Sequence, residues 1–129
     1  MTVGQGEVYW VELGVPRGSE PGYRHPHIVI QSDLFNLSRI KTVVMCALSS
    51  NLKLAGAPGN VLLSEGEANL PKECVANISQ VSTVNKEDLV GKIGTLSPER
   101  LGEVLRGVFL LLGPRDMSGI LSLSEIARI

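Results

Sequence analysis

Cysteine is rare in this chain. Cys46 and Cys74 are the only two, too few for a disulfide framework and short of a zinc site by themselves. No run of about 18 consecutive apolar residues occurs, so no transmembrane helix is expected. The opening MTVGQGEVYW has no basic run leading into an apolar stretch. No secretory signal is expected from it, and a soluble cytoplasmic domain is the default. Internal repeats and low-complexity tracts are missing as well. Neither sign of charge is in excess: twelve Lys+Arg face thirteen Asp+Glu, a formal charge of −1. Proteins that grip nucleic acid through its phosphates usually carry a basic excess or patch. Any such patch here is local, and the dense candidates are Arg17, Arg24, His25 and His27, then Arg39-Ile40-Lys41.

What is present is ordinary globular material. The 129 residues, 43% hydrophobic and 19% charged, suit one domain with one core and exclude a wholly disordered chain. The first two thirds read as strands and turns. Glu7 to Leu13 alternates, with Val8, Trp10 and Leu13 suited to the core and Glu7, Tyr9 and Glu12 facing outward. Residues 14–25, GVPRGSEPGYRH, hold three glycines and two prolines and predict a long loop of the kind that often carries function. Pro26–Gln31 predicts a strand that opens on proline, where a missing N–H is tolerated. Thr42–Leu48 is almost wholly apolar and reads as a central strand buried on both faces. Asn60–Leu63, Glu73–Ala76 and Ile78–Val84 complete the strands.

The last third reads as helix. Ser97-Pro98-Glu99 sets a capping hydroxyl, a proline at the first helical position and a carboxylate near the positive end of the dipole. Leu101, Val104, Leu105, Val108, Leu111 and Leu112 then fall on one face, and Gly113-Pro114 stops the helix. A weaker helical turn is expected near Asn85–Leu89. Residues 1–113 form the expected domain and 114–129 an extension. Its segment Ser122–Arg128 is able to form a short amphipathic helix, too short to be stable alone; it packs on its own domain, packs on a partner or frays.

Three segments together resemble the MazF/PemK family of toxin endoribonucleases. Gly6-Glu7-Val8-Tyr9-Trp10-Val11 is similar to the family's opening strand. Gly18-Ser19-Glu20-Pro21-Gly22-Tyr23-Arg24-His25-Pro26-His27-Ile28 resembles its glycine-serine-glutamate loop running through arginine-proline into strand two. Gln80 to Lys86, then Lys92 to Glu99, resemble its final strand, turn and last helix. The resemblance covers about residues 6 to 112. It implies a mainly β fold with α: a small SH3-like, CcdB-like barrel of about five to seven strands with a packed C-terminal helix, usually a homodimer. It also implies a metal-independent ribonuclease that cuts single-stranded RNA, needs no cofactor, and is neutralised by a cognate antitoxin.

Metal-free RNA cleavage can use the ribose 2′-hydroxyl as internal nucleophile. It then needs a proton acceptor, a proton donor for the leaving 5′-oxygen, and positive charge or N–H donors on the phosphate. The family places a catalytic arginine immediately before the proline of strand two; here His25 precedes Pro26 and arginine stands one earlier, at Arg24. Histidine as a residue type exchanges protons near neutrality, so His25 suits proton transfer, whereas Arg24 stays charged and suits phosphate. From the residues alone His25 merely lies at a strand entrance. Ser49 matches the family's second catalytic position, with Ser50 adjacent and a register shift of one still open; both also read simply as strand-ending serines. Glu20 matches the loop glutamate, otherwise an exposed loop carboxylate. Gln80 matches a glutamine suited to reading a base edge, but Ser82 stands where the family has arginine. Arg17 and His27 complete the expected RNA contacts, His27 otherwise being a half-buried strand residue. Cys46 reads as a core thiol, Cys74 as exposed, and Trp10 as core rather than a base-stacking platform.

Two alternatives compete with the ribonuclease. One is a catalytically degenerate binding module of the same fold, acting on RNA or on a protein target such as gyrase. The other is a structural RNA-binding small barrel, which usually carries more positive charge than this chain.

Overall fold

A computed structural model describes residues 2–14, 18 and 23–113. Six strands, β1 (Glu7–Glu12), β2 (Arg24–Val29), β3 (Thr42–Ser49), β4 (Val61–Leu63), β5 (Cys74–Asn85) and β6 (Leu89–Thr95), form one antiparallel sheet in the order β4-β5-β3-β2-β1-β6. A short helix α1 (Asp33–Asn36) follows β2, and the long helix α2 (Pro98–Leu112) closes the described chain. The sheet curls into a half-barrel with one C-terminal helix, the fold class expected.

Alternate residues along the strands feed two hydrophobic clusters, one on each face. Val8, Ile28, Cys46, Leu48, Ala76 and Ile78 join Val104, with Leu101, Leu105 and Val108 of α2 packed against them. Tyr9, Val11, Val29, Val43, Met45, Val84 and Leu89 form the second cluster with Val3. β1 is therefore apolar on both sides, because the curl of the sheet gives each face something to cover it. That corrects two expectations. Tyr9 is buried, its hydroxyl donating to Glu7 at 3.1 Å; burial and then the Glu7 carboxylate push its pKa up to about 12. Trp10 is only half-buried and belongs to neither cluster.

The edges β4 and β6 do not pair. A 3-10 turn at Glu67–Asn69 bridges them, with Ala68 and Asn69 at φ 50° and 59°. Asn69 Nδ2 donates to the Ile93 carbonyl at 3.3 Å, and the Ala68 carbonyl lies so close to Gly94 that any side chain there would overlap it. Arg100 of α2 holds the turn from above, donating to Glu67 at 2.8 Å and to Glu103 at 2.8 Å.

Ser97 caps α2, accepting from the Arg100 N–H at 3.2 Å. Gly107 packs its bare backbone on Gly59 in the turn before β4. Leu111 and Leu112, expected on the core face, are exposed. β2 begins two residues earlier than expected, at Arg24, because Arg24 and His25 pair with Glu12 and Val11 of β1. The two segments at 73–84 are one strand bent by a register shift opposite Cys46–Leu48. β6 lies outside the strands expected from the sequence, because its two glycines and Lys92 interrupt the apolar alternation. The turn expected near Asn85–Leu89 is the 3-10 turn Lys86–Asp88. The extension 114–129 lies outside the described residues.

Candidate active site

A cleft of about 370 Å³ opens beside the start of β2. Arg24, His25 and Pro26 line it from β2 and Trp10 from β1. Leu48 and Ser50 come from the end of β3, and Leu70, Pro71, Lys72 and Cys74 from the segment entering β5. The β1–β2 ladder fixes the first group, with Trp10 opposite Pro26 and Val11 opposite His25.

His25 is half-buried, and its Nδ1 is fully buried with no hydrogen-bond partner among the described residues. A buried, unpaired ring nitrogen is costly and calls for an explanation in what the site does. Arg24 is largely exposed, with its Nε 3.6 Å from Glu12 Oε2. Such a pair holds loosely, leaving the guanidinium free to exchange a carboxylate for a phosphate.

Ser50, the one-residue alternative to Ser49, lines this cleft and is exposed. Ser49 is half-buried, and its Oγ accepts from the Asn51 N–H at 3.1 Å. The β2–β3 register pairs His27 with Ala47; carried two residues further, it sets Ser49 beside His25 on the same face of the sheet. Arg24, His25 and Ser50 thus line one cleft, while Ser49 shares a face of the sheet with His25 without lining that cleft. Glu20 and Arg17 lie outside the described residues.

His27 and Gln80 line a different cleft, of about 410 Å³, together with Ser82 and Glu12. His27 is 1% exposed, its Nδ1 3.2 Å from the His25 carbonyl. Only a protonated nitrogen can bond a carbonyl, so Nδ1 carries the hydrogen and donates it. Burial lowers the His27 pKa to about 4, His25 adding a smaller repulsion against the opposing pull of that hydrogen bond. His27 is therefore neutral near pH 7 and unsuited to moving protons there.

Cys74, expected to be exposed, is buried, and burial pushes its thiol up to about 11, aided by Glu67 and Glu73. Cys46 lies wholly in the core, its thiol raised by burial to about 12. Neither thiol is poised as a nucleophile. Among the described residues no group of three or more His, Cys, Asp or Glu comes together as metal ligands, and no helix is long and apolar enough to cross a membrane. Among the cleft residues that sequence reading missed are Lys72, Pro71 and Trp10. The first two lie far along the chain from β2, and no periodicity marks them. Trp10 could have been found from its neighbours on β1, which fill both cores without it.

Residues 4–112 match the family described as "PemK-like, MazF-like toxin of type II toxin-antitoxin system". The chain is 42% identical over 108 residues to Endoribonuclease MazF6 of Mycobacterium tuberculosis, covering 84% of this chain and 95% of that one. Its fold is similar to the crystal structure of MazF from Deinococcus radiodurans, with a TM-score of 0.72 at 22% identity over 88% of this chain and 99% of that one. It is similar also to an endoribonuclease in complex with its cognate antitoxin from Mycobacterial species, with a TM-score of 0.70 at 19% identity over 88% and 99%.

Proposed function

The chain belongs to the PemK-like, MazF-like toxin family of type II toxin-antitoxin systems, and from that premise we propose that the cleft at the start of β2 is where it cuts RNA. It is a toxin endoribonuclease, neutralised by a cognate antitoxin. The substrate is single-stranded RNA, foremost mRNA, and the reaction needs no metal ion. The 2′-hydroxyl loses its proton to a base and attacks the adjacent phosphorus. The P–O5′ bond breaks as the O2′–P bond forms, and the departing 5′-oxygen takes up a proton. The products are a 2′,3′-cyclic phosphate and a 5′-hydroxyl.

The observation that carries this reading is His25 beside Arg24 on one cleft, with a buried imidazole nitrogen that no described residue satisfies. His25 handles protons, because imidazole alone among these groups exchanges them near neutrality. Arg24 stabilises charge on the phosphate through paired N–H donors. Ser49 and Ser50 offer hydroxyl or backbone N–H bonds to the same phosphate. Glu20 keeps the role the family resemblance gives it, Arg17 remains an RNA contact, and Gln80 serves RNA bound beyond the cleft. An acidic antitoxin segment would compete for Arg24. The protein acts in the cytoplasm as a homodimer, with residues 1–113 as the ribonuclease unit.

The test is incubation of the purified chain with mixed single-stranded RNA in the presence of chelator, followed by analysis of the product ends. Cyclic phosphate and 5′-hydroxyl ends are expected. Histidine where the family has arginine, and Ser82 where it has a second arginine, favour the degenerate binding module. RNA that is bound but left intact would establish that module instead.

A further inference from the structure

Trp10 sits in the middle of β1 between two fully committed neighbours: Tyr9 is 5% exposed and Val11 0%. Its own indole stays half-buried. The ladders show why. Trp10 lies opposite Pro26 on β2 and opposite Gly91 on β6. Gly91 has no side chain to lay over the ring, and Pro26 lines the same cleft as the indole. An aromatic held rigidly in a strand with an open side is a surface for something flat. Pro71 adds an apolar ring to the lining.

The polar lining is cationic. Lys72 and Arg24 are both exposed on the cleft, with His25 beside them. Glu12, against Arg24, is the acidic group paired there, and Glu73 is exposed next to Lys72. At about 370 Å³ the cleft lies at the small end of the range for small-molecule sites, about 300–1,000 Å³. An apolar slot with an aromatic wall and two cations at its mouth matches one nucleotide: a flat base inside, flanking phosphates outside.

We infer that this cleft is a nucleobase subsite, in which one unstacked base of single-stranded RNA lies against Trp10 while Lys72 and Arg24 take the adjoining phosphates. The inference rests on the ribonuclease reading and adds to it the group that anchors the strand beside His25. It gives Trp10 a binding role and Lys72 a phosphate contact.

Trp10 is the only tryptophan in the chain, so its fluorescence reports on this site alone. Titration of the full chain with a short 2′-O-methyl RNA of randomised sequence, which lacks the free nucleophile, is expected to quench that fluorescence. An abasic oligomer of the same backbone is expected to bind more weakly and leave it unquenched. Trp10→Ala is expected to weaken the full oligomer about 5- to 150-fold by fluorescence anisotropy while leaving abasic binding unchanged. Trp10→Phe, which keeps a π-face, should recover most of the affinity. Lys72→Ala alters an exposed side chain and leaves the fold intact; it should lower the slope of log affinity against log salt by about one. Oligomer binding without quenching, equal loss with Ala and Phe, or an unchanged salt slope in Lys72→Ala would overturn the subsite. Wild-type RNA cleavage, measured separately, keeps the two readings distinct: fragments without quenching sink the subsite alone, whereas neither fragments nor binding sinks the ribonuclease and the subsite with it.

Discussion

The two ends of this sheet are built to different standards. Beneath α2 every polar requirement is met: Ser97 caps the helix, Arg100 ties it to Glu67 and Glu103, and Gly107 lies flush on Gly59. At the mouth of β2 the chain leaves matters open. His25 keeps a buried nitrogen with no described partner, Arg24 is held only loosely, and Trp10 is left half-buried between neighbours that are fully packed. Stability accumulates where groups find partners within the chain, and a ligand can add most where they do not. The contrast makes a directional claim. Changes at the β2 mouth should cost activity and little stability, and changes under α2 should do the reverse.

The largest expected effect is on the open side. His25→Ala removes the proposed proton carrier and should slow RNA cleavage by about 10²–10⁴-fold, with the thermal midpoint unchanged or slightly raised as the unpaired nitrogen disappears. Gel-based cleavage rates alongside a melting curve read both quantities. Undiminished cleavage would remove His25 from the reaction.

His27, two residues on, sharpens the comparison because it is a histidine used for the opposite purpose. Its folded pKa, about 4, lies below the ordinary value of 6.5, so the unfolded chain binds the proton more readily. The stability this gives is fully present above pH 6.5 and is lost as pH falls towards 4. The whole span is worth at most about 3 kcal/mol. Urea unfolding at several pH values should show that slope in the wild type and a flatter one in His27→Gln.

On the packed side, Gly107→Ala places a methyl group against the Gly59 carbonyl and Ile78. Backbone cannot yield there as a flexible side chain would. A loss of about 1–3 kcal/mol is expected, exceeding the modest gain of alanine over glycine in a helix. Denaturant unfolding measures it, and cleavage by the folded fraction should be normal. Impaired cleavage at full stability would break the division between the two ends.

How much of this was legible beforehand follows the same division. The α2 boundaries could be read because capping, the proline position and the apolar stripe are local signals. The central strand could be read from its apolar run. The double-sided burial of β1 could not, since Tyr9 is covered only because the sheet curls, a property of all six strands together. β6 was hidden because its two glycines weaken strand propensity: Gly94 is there for the close approach of the Ala68 carbonyl, whereas open space surrounds Gly91. At the site, Arg24, His25 and the serine pair were reachable through the family pattern, and Arg24, His25 and Ser50 line one cleft. Lys72 and Pro71 were not, because only the long connection from β4 to β5 brings them there. His25 and His27 share a face by their parity on β2, yet burial separates their chemistry, and burial at that level is a tertiary fact.

The smallest expected effect probes the open end most directly. Glu12 and Arg24 are ladder partners at the rim, 3.6 Å apart and both more than half exposed. Such a pair contributes little to stability, about 0–1 kcal/mol, so Glu12→Gln should leave the melting curve in place. Its carboxylate nevertheless occupies the guanidinium that a phosphate would need, and it repels that phosphate. Replacing it should tighten single-stranded RNA binding, by about two- to fivefold at low salt, given the usual strength of an exposed pair. Added salt screens exposed charges over about 10 Å at 0.1 M, so the gain should fade as ionic strength rises. Anisotropy titrations of wild type and Glu12→Gln across a salt series test this. Equal affinities at low salt would mean that Arg24 does not meet the phosphate; a gain that persists at high salt would mean that Glu12 acts through shape rather than charge.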